Sequence, residues 1–441
     1  MVNLKIATLI GMNAIGIAIF FCQNLINGNK NMINPHNHSG TLLIKNLRLY
    51  DGLSDEARPA SILSHDGVIQ RISTDIPEPK DAKIYNGEGL CACYGFIDLH
   101  VHLRDPGQTH KENIAGGTAS AAAGGYGTVL CMPNTVPAAD NPKIISYIID
   151  EAEKTGSCRV HPVGAITEGL EGKRLTDFAS LKKAGAIALS DDGRPVESAA
   201  LMLEALKKAA GLDMLVISHC EELSLINYGS AAEDTITARD IILAGSAGAR
   251  LHIAHVSSAG AADLIGFGKK TNPLLSAETC PHYFSLTDEA VHTVGVNAKM
   301  NPPLRSKRDR EAITEALRDG TIDCIATDHA PHTAEDKFEK ENDMEKAANG
   351  IIGLESAFSL GITHLVKPGI LSLTELIKLY TVNPAKIARL DIGTVKEGAA
   401  TDITLFDPDE RFIFDRNSLR SKSKNTPFHG MEMFGKIKYK F

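Results

Sequence analysis

The sequence contains no tryptophan, and aromatic residues make up only 5% of its 441 positions. Surfaces that stack nucleobases are built from such rings, so binding of single-stranded nucleic acid is not expected. A basic excess is missing as well: 46 Lys and Arg stand against 54 Asp and Glu, a formal net charge of −8. That balance leaves no electrostatic footprint for nucleic acid or an anionic membrane and directs attention to a small-molecule partner. None of the eight cysteines forms a CxxC pair, and most sit in apolar runs such as VLCMPN and DCIATDH. They read as reduced, buried thiols of a cytoplasmic protein, and the lone Cys91-x-Cys93 has no companion ligands nearby. With 43% hydrophobic and 23% charged residues, the composition is that of an ordinary globular chain.

An uninterrupted membrane-length apolar run is also lacking. Ile6 to Cys22 is apolar but broken at Asn13, falls short of the roughly 20 residues that span a bilayer, and precedes no A-x-A-like cleavage site. Residues 1–40 are therefore read as a dispensable leader, with a tether or an export signal as the alternatives. Because Met32 lies just ahead of the first globular pattern, a chain starting there is expected to be soluble and active.

From residue 41 onward, TLLIKNLRLYDG and ASILSHDGVIQRIS alternate apolar and polar residues and are punctuated by Asp-Gly, the signature of short antiparallel strands. GTVKEGAATDITLFDPDERFIF near the end has the same character. The two ends, 41–92 and 393–441, are expected to pair into one small β domain with the remainder, 93–392, inserted between them. The insert repeats a short apolar run, a polar loop and an amphipathic helix. The runs are 95–102, 127–134, 160–167, 186–193, 213–221, 250–258, 273–281 and 323–331, with helices expected at 112–124, 141–154, 195–210 and 308–318. Pro195 is expected in the first turn of the third helix. Eight strands alternating with helices imply a parallel (β/α)8 barrel of the α/β class; an open doubly wound sheet would carry a Gly-rich phosphate turn after its first strand, and none is present.

Barrel strands are buried on both faces, so ionisable residues at their C-terminal ends require a reason. They occur on five of the eight: His100 and His102, Asp191-Asp192, His219, His252 and His255, and Asp328 and His329. Singly, each has an ordinary reading as a hydrogen-bonded core histidine or a turn aspartate. Together, four imidazoles and two carboxylates at one rim would be a costly polar cluster unless they coordinated a cation such as Zn2+. Six ligands exceed one tetrahedral ion, and two metals sharing a carboxylate account for the number. Arg104, two residues beyond His102, is shaped to grip a substrate carboxylate, although Asp105 or Glu112 could equally pair with it at the surface. Asn134 and Asn301 sit in turn-like contexts near the same rim. His332 opens a charged stretch to Asn349-Gly350 of the kind that makes a mobile lid.

The segments GFIDLHVHLRDPG, CMPNT, SDDG, HCE, AHVSS, KMNPPLR and ATDHAPH, in that order, resemble the dihydroorotase family of the amidohydrolase superfamily, in the branch with an Asp in place of the carboxylated bridging Lys. The similarity runs from about residue 41 to the end. It implies His100, His102 and Asp328 on one Zn2+, His219 and His255 on a second, and Asp192 as the bridge. It further implies that Arg104, Asn134 and His332 hold the substrate carboxylate, that Asn301, Asn349 and Gly350 touch its ring, and that Asp328 shuttles the proton. The implied reaction is the reversible cyclisation of N-carbamoyl-L-aspartate to L-dihydroorotate in pyrimidine synthesis. A hydantoinase- or dihydropyrimidinase-like cyclic amidase is the enzymatic alternative, and a non-catalytic partner of aspartate carbamoyltransferase the structural one. The resemblance leaves room for a homodimer and for association with that transferase. Departures from the family pattern are a shortened connection between His219 and His255, Tyr94-Gly95 where Pro-Gly is usual, an abbreviated tail, and the leader.

Overall fold

The computed structural model describes residues 40–340 and 343–441. The expectations for the leader fall outside the described residues. Five short strands come first: β1 (Thr41–Tyr50), β2 (Arg58–His65), β3 (Val68–Ser73), β4 (Lys83–Asn86) and β5 (Cys91–Tyr94). Chain reversal at Asp66-Gly67, both with positive φ, lets β2 and β3 pair as an antiparallel hairpin. The last two strands, β14 (Ile403–Ile413) and β15 (Glu432–Lys440), join this sheet through the antiparallel pairing of β14 with β5. The resulting order is β15-β14-β5-β1-β2-β3, with β4 beside β1, so one sheet is made from both ends of the chain.

Between those ends run eight parallel strands in sequence order: β6 (Phe96–Val101), β7 (Tyr126–Cys131), β8 (Arg159–Ala165), β9 (Ala188–Ser190), β10 (Leu215–Ser218), β11 (Leu251–Ile253), β12 (Leu275–Thr279) and β13 (Cys324–Ile325). A parallel bridge from Val101 to His329 and a hydrogen bond from the His102 N–H to the His329 carbonyl (2.9 Å) bring the last strand back to the first. The architecture is thus a (β/α)8 barrel with a discontinuous β domain from both chain ends. All strand residues of β6, β7, β9, β10, β11 and β13 are buried, as expected when helices cover the outside.

Helices form at 114–123, 142–155, 199–211 and 307–318, close to the four expected positions. One start is corrected. Pro195 lies four residues ahead of its helix, because the Ser198 hydroxyl accepts from the Leu201 N–H (3.3 Å) and caps the helix there instead. Under the barrel, Phe96 stacks on Phe358 with ring centroids 4.7 Å apart and meets Tyr126 edge-on at 5.6 Å. Beside this plug, Asp402 is fully buried and takes Lys440 and Arg159 (2.5 Å for the latter) as ion-pair partners. The three residues join β8 to β14 and β15. A Cβ on Gly127, at the start of β7, would lie 2.2 Å from that carboxylate, so the barrel reaches the end sheet there only with glycine.

Candidate active site at the barrel mouth

The C-terminal ends of β6, β9, β10, β11 and β13 aim their polar residues at one point. Asp192 occupies the middle. Its Oδ1 lies 3.2 Å from His100 Nε2, 3.7 Å from His219 Nδ1 and 3.6 Å from His255 Nε2, while its Oδ2 lies 3.5 Å from His102 Nε2. These donors divide into two groups of metal-binding dimensions, His100–His102–Asp192 and Asp192–His219–His255, which share the Asp192 carboxylate. Asp328 stands beside the first group, 3.0 Å from His102 Nε2 and 3.6 Å from His100 Nε2. His219 Nδ1 and His255 Nε2 are only 2.8 Å apart.

The donor set fits a divalent cation. His100 Nε2 is buried, faces two carboxylates and has no hydrogen-bond partner among the described residues. Its other nitrogen, Nδ1, is 3.0 Å from the buried Glu278, an arrangement that keeps a proton on Nδ1 and turns Nε2 inward, where a cation can take the place of its proton. Burial lowers the basicity of His100, but the surrounding Asp192, Glu278 and Asp328 carboxylates outweigh it and hold its pKa well above the ordinary value. Asp192 and Asp328 are shifted the other way: burial raises them, and the clustered imidazoles more than compensate. Carboxylates this buried demand positive charge, and imidazole lone pairs converging on them are the means to coordinate it. A third group of suitable spacing, His252–Glu278–Cys324, does not qualify. There Glu278 already engages His100 and lies 3.1 Å from His252, and burial holds the Cys324 thiol protonated.

Eleven of the twelve candidate residues line one cavity of about 210 Å3: His102, Arg104, Asn134, Asp192, His219, His255, Asn301, Asp328, His332, Asn349 and Gly350. His100 lies fully buried beneath them. Arg104 adopts left-handed backbone (φ 59°), as do His255 (37°) and Asp328 (47°), strain of a kind that concentrates at functional sites. Its Nε donates to the Pro331 carbonyl (3.2 Å), and among the described residues it makes no ion pair. The surface-pair reading fails because Asp105 is occupied by Tyr147 (2.9 Å) and Glu112 by Ser421 (2.7 Å). Burial draws the guanidinium pKa downward. His332 Nε2 donates to the Asn349 carbonyl (2.8 Å), and burial beside Arg104 pulls its pKa to about 3, so it is neutral. Asn134 Oδ1 accepts from His102 Nδ1 (2.8 Å), and Asn301 Nδ2 donates to Glu221 (3.1 Å).

Three residues placed at the rim by sequence are elsewhere. Asp191 accepts from the Thr167 hydroxyl and from the Ile166 (2.8 Å) and Thr167 (3.0 Å) N–H groups, which fastens the loop after β8. His252 points below the mouth, between Ser276 and Glu278. His329 Nδ1 accepts backbone N–H groups of Gly353 (3.2 Å) and Leu354 (3.4 Å), and burial lowers its pKa to about 3. Glu278, Glu221, Lys337 and Asn425 escaped notice in the sequence. The signal for Glu278 was an ionisable residue inside the apolar run PLLSAETCP.

A buried carboxylate–imidazole cluster at the mouth of such a barrel, beside an arginine that has no ion pair among the described residues, defines a metal-dependent cyclic amidohydrolase. Solved structures of that class superpose on most of the chain. The L-hydantoinase (dihydropyrimidinase) from Arthrobacter aurescens does so with a TM-score of 0.84 at 26% identity, over 91% of this chain and 94% of its own. The dihydropyrimidinase from Brevibacillus agri gives 0.80 at 22%, over 91% and 93% of the two chains, a likeness of fold alone. Nearer in sequence are the dihydroorotases of Acetivibrio thermocellus, 45% identical over 90% of this chain and 96% of theirs, and of Syntrophus aciditrophicus, 44% identical over the same shares. The family model for dihydro-orotase-like proteins matches residues 90–239. The chain belongs to the dihydroorotase family. The hydantoinase alternative fits less well than these whole-length relatives.

Proposed function

We propose that the chain catalyses the reversible cyclisation of N-carbamoyl-L-aspartate to L-dihydroorotate, and that Arg104 selects this substrate. The observation that carries the reading is a buried guanidinium with no ion-pair partner among the described residues, on the wall of the cavity that also holds Asp328. Neutral hydantoins and dihydropyrimidines have no carboxylate to offer it, whereas both dihydroorotate and carbamoyl-aspartate do. Asn134 and His332 line the same cavity as Arg104 and would complete the carboxylate pocket. Asn301, Asn349 and Gly350 form the wall against the ring.

His100, His102 and Asp328 would hold one cation, His219 and His255 a second, and Asp192 would bridge them; Zn2+ suits these ligands. Such ions supply Lewis acidity toward the ring amide carbonyl and lower the pKa of water. Arg104 fixes the substrate's far end, which aligns the carbonyl carbon with the cluster. In hydrolysis, water adds to that carbon, Asp328 accepts its proton and delivers it to the ring nitrogen as the C–N bond breaks. Asp328 is suited to begin as a base because the neighbouring imidazoles keep it ionised. Cyclisation reverses each step: the ureido nitrogen loses its proton to Asp328 and water leaves. The convergence of all six donors favours catalysis over a structural role beside aspartate carbamoyltransferase. Cytoplasmic location, a homodimer and contact with that transferase belong to the same reading. No helix among the described residues is long and apolar enough to cross a membrane.

The deciding experiment measures carbamoyl-aspartate cyclisation and dihydroorotate hydrolysis by metal-replete protein, with metal content determined alongside. Arg104→Gln is expected to lower kcat/KM for dihydroorotate about 30- to 1000-fold at unchanged metal content. Arg104→Lys should be nearly as impaired, because a point charge does not reproduce the planar fork. Dihydrouracil turned over as readily as dihydroorotate by the wild type would sink the reading.

A further inference from the structure

Lys337 is fully buried and has no carboxylate partner among the described residues. Its ammonium instead donates to three main-chain carbonyls: Lys299 (2.7 Å), Ala348 (2.8 Å) and Gly350 (2.9 Å). Those bonds use all three of its protons. Dipoles alone are poor compensation for removing an ammonium from water, and burial with Lys299 nearby brings its pKa down to about 7. A methionine would fill the same space without that cost but could not bond the three carbonyls.

The three carbonyls belong to two adjoining segments that both line the substrate cavity, one carrying Asn301 and the other Asn349 and Gly350. Reciprocal bonds draw the same segments together. Lys299 Nζ donates to the Glu345 (2.7 Å) and Ala347 (2.6 Å) carbonyls, and the Gly350 N–H donates to Lys299 O (3.0 Å). Asn425, from the far end of the chain, adds a second donor to Gly350 O (3.1 Å), bonds Ala330 O (3.0 Å), and accepts from the His332 N–H (3.2 Å). Both polar groups of the Gly350 backbone are therefore already paired within the protein. Gly350 contributes to the cavity as a surface whose position is set from behind, and Lys337, which belongs to neither segment, bonds to both of them at once.

We propose that Lys337 is a positioning residue that fixes the separation between the Asn301 wall and the Asn349–Gly350–His332 wall, and thereby sets the enzyme's affinity for its carboxylated ring substrate. The inference rests on the reading above that these walls contact substrate. Lys337 touches neither the substrate space nor the histidine–aspartate cluster. Its loss should widen the pocket while leaving the proton-transfer groups in place, so binding should suffer and chemistry should not.

The test compares wild type with Lys337→Met, in the full chain, by steady-state hydrolysis of dihydroorotate, metal analysis and thermal unfolding. The expected result is a KM raised about ten-fold, the scale of one or two lost hydrogen bonds, with kcat within about threefold and metal content unchanged. Lys299→Met removes only the reciprocal pair and should raise KM by less. If Lys337→Met does not fold, Lys299→Met decides by the same KM measurement. A lowered unfolding temperature with unchanged KM would make Lys337 a purely structural residue and overturn the proposal, as would a collapse in kcat at constant KM. The parent reading fails separately: wild type without dihydroorotase turnover removes it, whereas an active wild type sensitive at Arg104 but indifferent to Lys337→Met removes only the clamp.

Discussion

Two buried carboxylate clusters occupy opposite ends of the same barrel. At the bottom, Asp402 meets Lys440 and Arg159, one anion against two cations supplied by the chain itself. At the mouth, Asp192, Asp328 and Glu278 meet imidazoles and, at Asp192, the Asn134 amide (3.5 Å), and no lysine or arginine among the described residues forms an ion pair with them. The carboxylates are buried in both places, and their shifts share a direction: Asp402, like Asp192, is held below its ordinary value. What separates a structural clasp from a reactive centre is where the compensating charge comes from. The bottom cluster is complete as folded, while the mouth is arranged for cations brought from outside.

Substitutions sharpen the contrast. Asp328→Asn is expected to lower turnover by about 10²- to 10⁴-fold while circular dichroism and unfolding temperature stay near wild type, because it removes the proposed proton shuttle and one donor of several. A variant keeping more than about a hundredth of wild-type kcat would contradict that role. Asp402→Asn should behave in the opposite manner. Leaving Lys440 and Arg159 without their carboxylate should cost about 3–5 kcal/mol in urea unfolding, yet leave kcat/KM per folded molecule within about twofold. Its pH dependence has a definite sign. Since Asp402 is depressed in the folded state, its stabilisation is complete above the ordinary carboxylate value of 3.8 and is lost as pH falls below it. Acid-unfolding curves of wild type and Asp402→Asn should therefore converge at low pH. Glu278→Gln is the smallest of the three: with His100 no longer fixed through Nδ1, metal affinity should weaken about 10- to 100-fold, measured by competition with a chelator. If Glu278→Gln left affinity unchanged, the orientation of His100 would not depend on that contact.

Much of this was legible in the sequence because a parallel barrel writes each strand as an apolar run with its functional residue at one end. Even β13, two residues long, was marked by DCIATDHAP. The errors at the rim arose where a second residue competed for the side chain. Asp191 and Asp192 are neighbours with the same chemistry, and only the Thr167 hydroxyl and two nearby N–H groups decide that the first is structural. His252 and His255 are divided likewise by Ser276 and Glu278. The omissions have a related cause. Glu278 finds His100 across 178 residues, and Asn425 finds Ala330 across 95, separations that no local pattern encodes. Lys337 was hidden inside a charged stretch that reads as a lid, although two turns of helix and its bonds to three carbonyls fasten that stretch to the barrel.

The seam between β6 and β13 has a further consequence during synthesis. His102 and Asp328 stand on the two strands that close the ring, 226 residues apart, and Thr327 bonds Asp98 across the same seam (2.6 Å). A nascent chain displaying His100 and His102 lacks Asp328 beside them until the eighth strand has left the ribosome and docked, the slowest kind of contact to form. Completion of the polar cluster is thereby deferred to the moment the ring shuts, and a chain stalled or cleaved before that point carries the histidines and Asp192 without Asp328.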